Sequence, residues 1–191
     1  MRRAFLRRVI FPFWVMDARK KFRWIAPHLR VDDQVIELGS GMGSLLDELR
    51  GEGFDVAACD IDDHSVREDL APDIYDGRRA DYPDGAFDVC ILSTVLHHVS
   101  DPDALLREAL RIAPKVIVIE DIYASEWQRR LTFAMDSLLN WEFLGHPHAN
   151  RRDCEWRAAF DALGARLLHS QSTPIALFFR QAVYVIEQEA A

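Results

Sequence analysis

Glu37, Gly39, Gly41 and Gly43 stand two apart in the run Val35-Ile-Glu-Leu-Gly-Ser-Gly-Met-Gly43, and the chemistry such spacing serves is ligand binding by backbone. Glycines without Cβ atoms let a turn take positive φ and come close to a bound molecule. Asp60 follows Gly39 by about twenty residues, where an acid at a strand end accepts hydrogen bonds from both hydroxyls of a ribose. The two features together point to an adenosine-type ligand. A dinucleotide fingerprint would need a third glycine three places after the second, and Ser44 stands there. That disfavours a nicotinamide cofactor.

The elements that must position these residues follow from periodicity. Val35, Ile36 and Leu38 form a buried strand, and Ser44 to Arg50 a helix with Leu45, Leu46 and Leu49 on its apolar face, closed by Gly51 and Gly53. Asp55 to Asp60 reads as a second strand, Ser65 to Leu70 as a short helix, Ile74 to Arg79 as a third strand and Phe87 to Leu92 as a fourth. Ser100 is placed to cap a helix that starts at Pro102, carries Leu105, Leu106, Ala109 and Leu110, and stops at Pro114. Lys115 to Asp121 is an unbroken β-branched run, as in a parallel strand buried on both faces. A capping box at Ser125 and Gln128 opens a helix to Leu144, Gly145 to Asn150 is a loop, and Asp153 caps a helix to Leu163. Two extended runs, about 165–171 and 175–186, close the chain as a hairpin. Strands alternating with helices predict an open α/β sheet, which binds ligands at the carboxyl edge of its strands. Gly39, Asp60, His97, Glu120, Asp121 and Tyr123 should all emerge there.

With these residues in place, Glu37-Leu-Gly-Ser-Gly-Met-Gly43 resembles the first motif of the class I S-adenosylmethionine (SAM)-dependent methyltransferases, most closely the small-molecule, methyltransferase-11-type set. Asp60, the Ala80-Asp-Tyr82 segment, the Phe87-Asp88 pair that opens the fourth strand and Thr94-Val-Leu-His-His-Val-Ser-Asp-Pro102 follow in that family's order. The resemblance is specific over about residues 30 to 122. It departs from the family at Ser40 and Met42, where Cys and Thr are frequent, and at Ala113-Pro-Lys115, which lacks a glycine-rich turn. It implies a Rossmann-like fold with a seven-stranded, mostly parallel sheet, a C-terminal antiparallel hairpin, helices on both faces and an N-terminal cap helix. It also implies a SAM site made by Glu37, Gly39, Gly41, Gly43, Asp60, Ile61, Asp81, Tyr82, Ser93 and His98, with Asp81 meeting the adenine amino group.

The expected reaction is methyl transfer to a small-molecule acceptor, at oxygen, leaving S-adenosylhomocysteine. A methyl held on a sulfonium is already activated, so the protein mainly aligns donor and acceptor and excludes water. A hydroxyl acceptor needs a base. His97 is the candidate, with Asp121 as its orienting partner, while Tyr123, His146 and His148 are placed to face the acceptor. The competing reading of His97 and His98 is that they shape the donor pocket. Trp127, Trp141 and Trp156 fall on helical faces and read first as core. A non-catalytic SAM- or nucleoside-binding regulatory module is the alternative from a different class.

The chain has 191 residues, enough for one α/β domain, with 49% hydrophobic and 28% charged residues. A net charge of -8 argues against a nucleic-acid partner. Residues 1 to 25 differ from the rest, since eight basic side chains there face only Asp17. Arg2 and Arg3 resemble a twin-arginine export signal, but the apolar run from Val9 to Met16 is short, broken by Pro12 and followed by no small-residue cleavage site. Two uses remain: a cap over the ligand cleft on the domain of residues 26–191, or a basic aromatic face on an anionic membrane, the latter suiting a lipid acceptor. Cys59 and Cys90 fall within predicted strands and read as reduced core residues of a cytoplasmic protein. No spacing typical of a metal site appears.

Overall fold

A computed structural model describes residues 2–123, 150–174 and 180–189, with side chains from Phe11 onward. Helix α1 (Arg2–Ile25) leads through a 3-10 turn to strand β1 (Gln34–Leu38), helix α2 (Ser44–Gly51), strand β2 (Asp55–Asp60) and the two-residue strand β3 (Asp73–Ile74). Strand β4 (Val89–Ser93), helix α3 (Pro102–Ile112) and strand β5 (Lys115–Ile122) follow. After residue 149 come helix α4 (Asp153–Ala162) and strands β6 (Ala165–Pro174) and β7 (Arg180–Gln188).

The seven strands form one sheet in the order β3-β2-β1-β4-β5-β7-β6. β1, β2, β3, β4 and β5 pair in parallel, and β7 runs antiparallel to both β5 and β6. Sequence order reverses between β1 and β4, so the carboxyl ends of these two strands flank the crevice where such sheets bind ligands.

Alternation along the strands divides the core into two layers. Val35, Val89, Ile91, Ile117 and Ile119 face α1 and α2, meeting Ala18, Ile25, Leu45, Leu46 and Leu49. Ile36, Leu38, Cys90, Leu92, Val116 and Val118 face α3 and α4, meeting Leu105, Leu106, Ala109, Trp156 and Phe160. Helix α1 is thus built onto one face of the sheet. Trp156 is fully buried, as a core residue of α4.

Local boundaries differ from the sequence reading where polar residues compete with the backbone. The expected strand from Ile74 to Arg79 ends at once, because Asp76 Oδ1 accepts from the amides of Arg78 and Arg79 and Gly77 turns the chain with φ 77°. The helix expected over 65–70 is only a 3-10 turn, Glu68–Leu70. Asp101, not Ser100, caps α3, its Oδ1 accepting from the Ala104 amide at 2.9 Å. The α4 helix is capped one residue earlier than expected: the Arg152 amide donates to Glu155, while Asp153 binds Tyr184 and Arg157. Strand four begins at Val89 because Asp88 Oδ2 is occupied by the Gln34 amide. The helix expected over 125–144, the loop to 149 and the start of the last extended run lie outside the described residues.

Candidate functional site

The glycine loop is built by exclusion. Gly39, Gly41 and Gly43 have φ of 85°, 55° and 80°, all left-handed. A Cβ on Gly39 would lie 2.4 Å from Val95 Cγ2, and one on Gly43 2.9 Å from Leu70 Cβ, so these two glycines let neighbouring segments close onto the turn. Gly41 differs, since a Cβ there would meet nothing within 4 Å. Its face is open to a ligand.

Asp60 links the loop to the end of β2. Its Oδ2 accepts from the Gly41 amide and its Oδ1 from the Ile61 amide, each at 2.7 Å. These bonds fix the carboxylate and leave each oxygen a second lone pair. Ile61, 63% exposed, extends an apolar side chain beside it. Across the crevice, Arg111 on α3 donates to the carbonyls of Ala80 and Tyr82, and Glu108 accepts from the Ala80 amide. That clamp holds Asp81 at the surface and Tyr82 against Phe87, with the Tyr82 hydroxyl donating to Asp73.

Glu37 lies beneath the loop and is 3% exposed. Burial pushes its carboxyl up to about 8, with the nearby charge of Lys21 opposing the shift. Glu37 Oε2 and the neighbouring Ser40 Oγ are buried with no hydrogen-bond partner among the described residues. Buried polar atoms in that state call for a partner beyond the described residues.

The turn after β4 is fixed from two sides. Thr94, a β-branched residue at φ 54°, holds a left-handed conformation that costs of order 1–3 kcal/mol. Its amide donates to the Ile119 carbonyl, its hydroxyl to the Ser93 carbonyl at 2.7 Å, and Lys21 Nζ reaches that hydroxyl at 3.1 Å. His97 and His98 follow in a 3-10 turn, their rings 4.0 Å apart.

His97 is oriented by Glu120, which corrects the expected pairing with Asp121. His97 Nδ1 lies 2.6 Å from Glu120 Oε2, and Glu120 Oε1 accepts from the Leu96 amide. Strand alternation is the reason. Glu120 shares the α3 face with Val118 and Ile122, whereas Asp121 turns with Ile119 toward the α1 face and accepts from Gln181 Nε2 at 3.0 Å. Burial raises the Asp121 carboxyl above the usual range, and the charges of His97 and Lys21 oppose that rise.

Tyr123 borders a cleft of about 570 Å³ at the carboxyl end of β5, with Arg152, Arg157, Ser170, Ser172 and Arg180 on its walls. His146 and His148 lie outside the described residues. Lys21 and Thr94 were given no role from sequence, and Glu120 was placed at the carboxyl edge without one. Lys21 falls three residues after Ala18 and four before Ile25, a helical spacing that already put it on the buried face.

Residues 11–170 match the sequence profile of the family described as methyltransferase domain. The chain belongs to this methyltransferase family. Demethylmenaquinone methyltransferase of Beutenbergia cavernae is 35% identical over 89 residues, covering 44% of this chain and 37% of that protein's length. Among solved structures, a Bacillus halodurans chain assigned as a methyltransferase superposes with a TM-score of 0.70 at 11% identity, covering 92% of this chain and all of that one. Magnesium protoporphyrin IX methyltransferase of Synechocystis, solved with S-adenosylhomocysteine, gives 0.67 at 15% identity over 92% of this chain and 83% of that one. At these identities the structures testify to the fold, which is that of class I methyltransferases. Among the described residues no helix is long and apolar enough to cross a membrane.

Proposed function

We propose that this methyltransferase uses SAM as donor and methylates a small molecule at oxygen. The observation that carries the donor is the open face of Gly41 beside two buried polar atoms, Glu37 Oε2 and Ser40 Oγ, that have no partner among the described residues, with Asp60 across the loop. A nucleoside with an amino-acid tail fits that set: Asp60 for the ribose, Ile61 and Tyr82 for the faces of the base, Asp81 for its amino group, and Ser93, Glu37 and His98 toward the tail. SAM supplies a methyl group on a positively charged sulfur. The chain aligns and desolvates the reactants.

His97 serves as general base for the acceptor hydroxyl. Its Nδ1 is committed to the Glu120 carboxylate, which makes Nδ1 the protonated nitrogen and Nε2 the proton-accepting one. Glu120 is a positioning residue, and Asp121 acts by its charge from the opposite face. The cleft beside Tyr123, with Arg152, Arg157 and Arg180, favours an acceptor rich in oxygen atoms. Incubation with methyl-labelled SAM and a panel of phenols, catechols and hydroxy acids tests this reading. His97→Ala should lower kcat about a hundredfold and abolish the acidic limb of its pH profile. An unchanged profile in that variant removes the base from the account.

A second reading has a specific observation behind it. Phe13 and Met16 on α1 are 60% and 68% exposed, and the exposed Arg19 and Arg23 continue the same stripe. Such a face suits an anionic membrane surface and an acceptor of the demethylmenaquinone kind held there.

A further inference from the structure

We propose that Lys21 is a donor-binding residue, its ammonium receiving the α-carboxylate of the donor's amino-acid tail, so that helix α1 takes part in recognising SAM. The inference rests on the SAM reading above.

Lys21 is 5% exposed, although it lies in a helix whose other described basic residues reach solvent. Its Nζ is 3.0 Å from Asp17 Oδ2 and 3.1 Å from Thr94 Oγ1. An ammonium has three N–H donors, and these two contacts account for two among the described residues. The third has no acceptor among the described residues, and the bond to Thr94 places the ammonium at the turn after β4. Asp17 balances the charge of Lys21, yet a neutral side chain could clamp α1 to Thr94 without burying an ion pair. A ligand carboxylate would take the remaining donor in a charge-assisted hydrogen bond.

The surroundings specify a zwitterion. Lys21 is close enough to Glu37 and Asp121 for its charge to act on both. Glu37 Oε2 and Ser40 Oγ, both buried, have no partner among the described residues. A buried cation with a spare donor beside a buried carboxyl with a spare acceptor is the complement of an amino acid. The carboxylate pairs with Lys21 and the ammonium with Glu37. Thr94 holds its left-handed turn to present the hydroxyl that steers the lysine.

The test compares two ligands by calorimetric titration of the full chain: S-adenosylhomocysteine, and 5′-methylthioadenosine, which has the nucleoside and thioether but no amino-acid tail. Lys21→Gln keeps a donor for Thr94 and removes the charge. It should weaken S-adenosylhomocysteine by roughly tenfold to a hundredfold, the scale of one charged hydrogen bond, and leave methylthioadenosine within about twofold. Lys21→Arg, which keeps the charge, should stay within about fivefold of wild type for both ligands. Unchanged binding of S-adenosylhomocysteine by Lys21→Gln, equal losses of the two ligands, or a loss in Lys21→Arg as large as in Lys21→Gln overturns the assignment. Failure of the wild type to bind either ligand overturns the SAM reading instead.

Discussion

Glu37 gives the residue scale its clearest test, because burial raises its carboxyl from 4.5 to about 8. Between those values the folded protein keeps the proton that the unfolded chain gives up. Stability from this group therefore falls as pH rises through that window, with a slope of up to about 1.4 kcal/mol per pH unit, and is level on either side. Denaturant midpoints from pH 4 to 9 should show this fall in the wild type and lose it in Glu37→Gln. The same slope in both proteins would mean that Glu37 ionises normally. Two glycines give a second contrast. Gly39→Ala drives a Cβ into Val95 and should cost about 2–4 kcal/mol of stability. Gly41→Ala meets no protein atom, so it should cost only about 1–2 kcal/mol for its left-handed backbone while weakening S-adenosylhomocysteine at least tenfold. Equal donor affinity in Gly41→Ala and wild type would place the ligand elsewhere.

At the scale of elements, the clamp from α3 fixes the Ala80–Tyr82 segment after β3, the side of the crevice proposed for the adenine. Arg111→Ala removes donors to the Ala80 and Tyr82 carbonyls and leaves Glu108 with the Ala80 amide alone. Donor affinity should fall about tenfold and stability by about 1–3 kcal/mol; a stability loss with unchanged affinity would separate the clamp from the site. Helix α1 presents two faces. Phe13→Asp combined with Met16→Asp should abolish any binding to anionic vesicles and leave S-adenosylhomocysteine affinity unaltered, because both side chains are exposed whereas Lys21 is buried. A joint loss would contradict that division. Strands β1, β2, β4 and β5 were legible because apolar runs of strand length are unambiguous when glycines, acids or prolines bound them. β3 was not, because Asp76 and Gly77 make a turn inside a run that otherwise reads as extended. Ser100 and Asp101 are both good caps, and only the geometry of the Ala104 amide chooses between them. The partner of His97 was misassigned to Asp121 for a related reason. Glu120 and Asp121 are adjacent acids at one strand end, and the face each occupies depends on sheet register.

For the whole molecule, the sheet order brings the glycine loop, Asp60, Thr94 and the His97–Glu120 pair to one edge from segments far apart in the chain. The parallel core was readable because its strands are bounded by local signatures. Lys21 was not, because its spacing from Ala18 and Ile25 marks a buried helical face and says nothing of a ligand. The central claim is that this edge binds SAM. Its most direct measurement is calorimetric titration of SAM, S-adenosylhomocysteine and NADH into the wild type and Asp60→Ala. The account predicts micromolar binding of the two SAM-type ligands, at least a tenfold loss in Asp60→Ala, and no binding of NADH. Binding of NADH alone, or of none of the three, would contradict it.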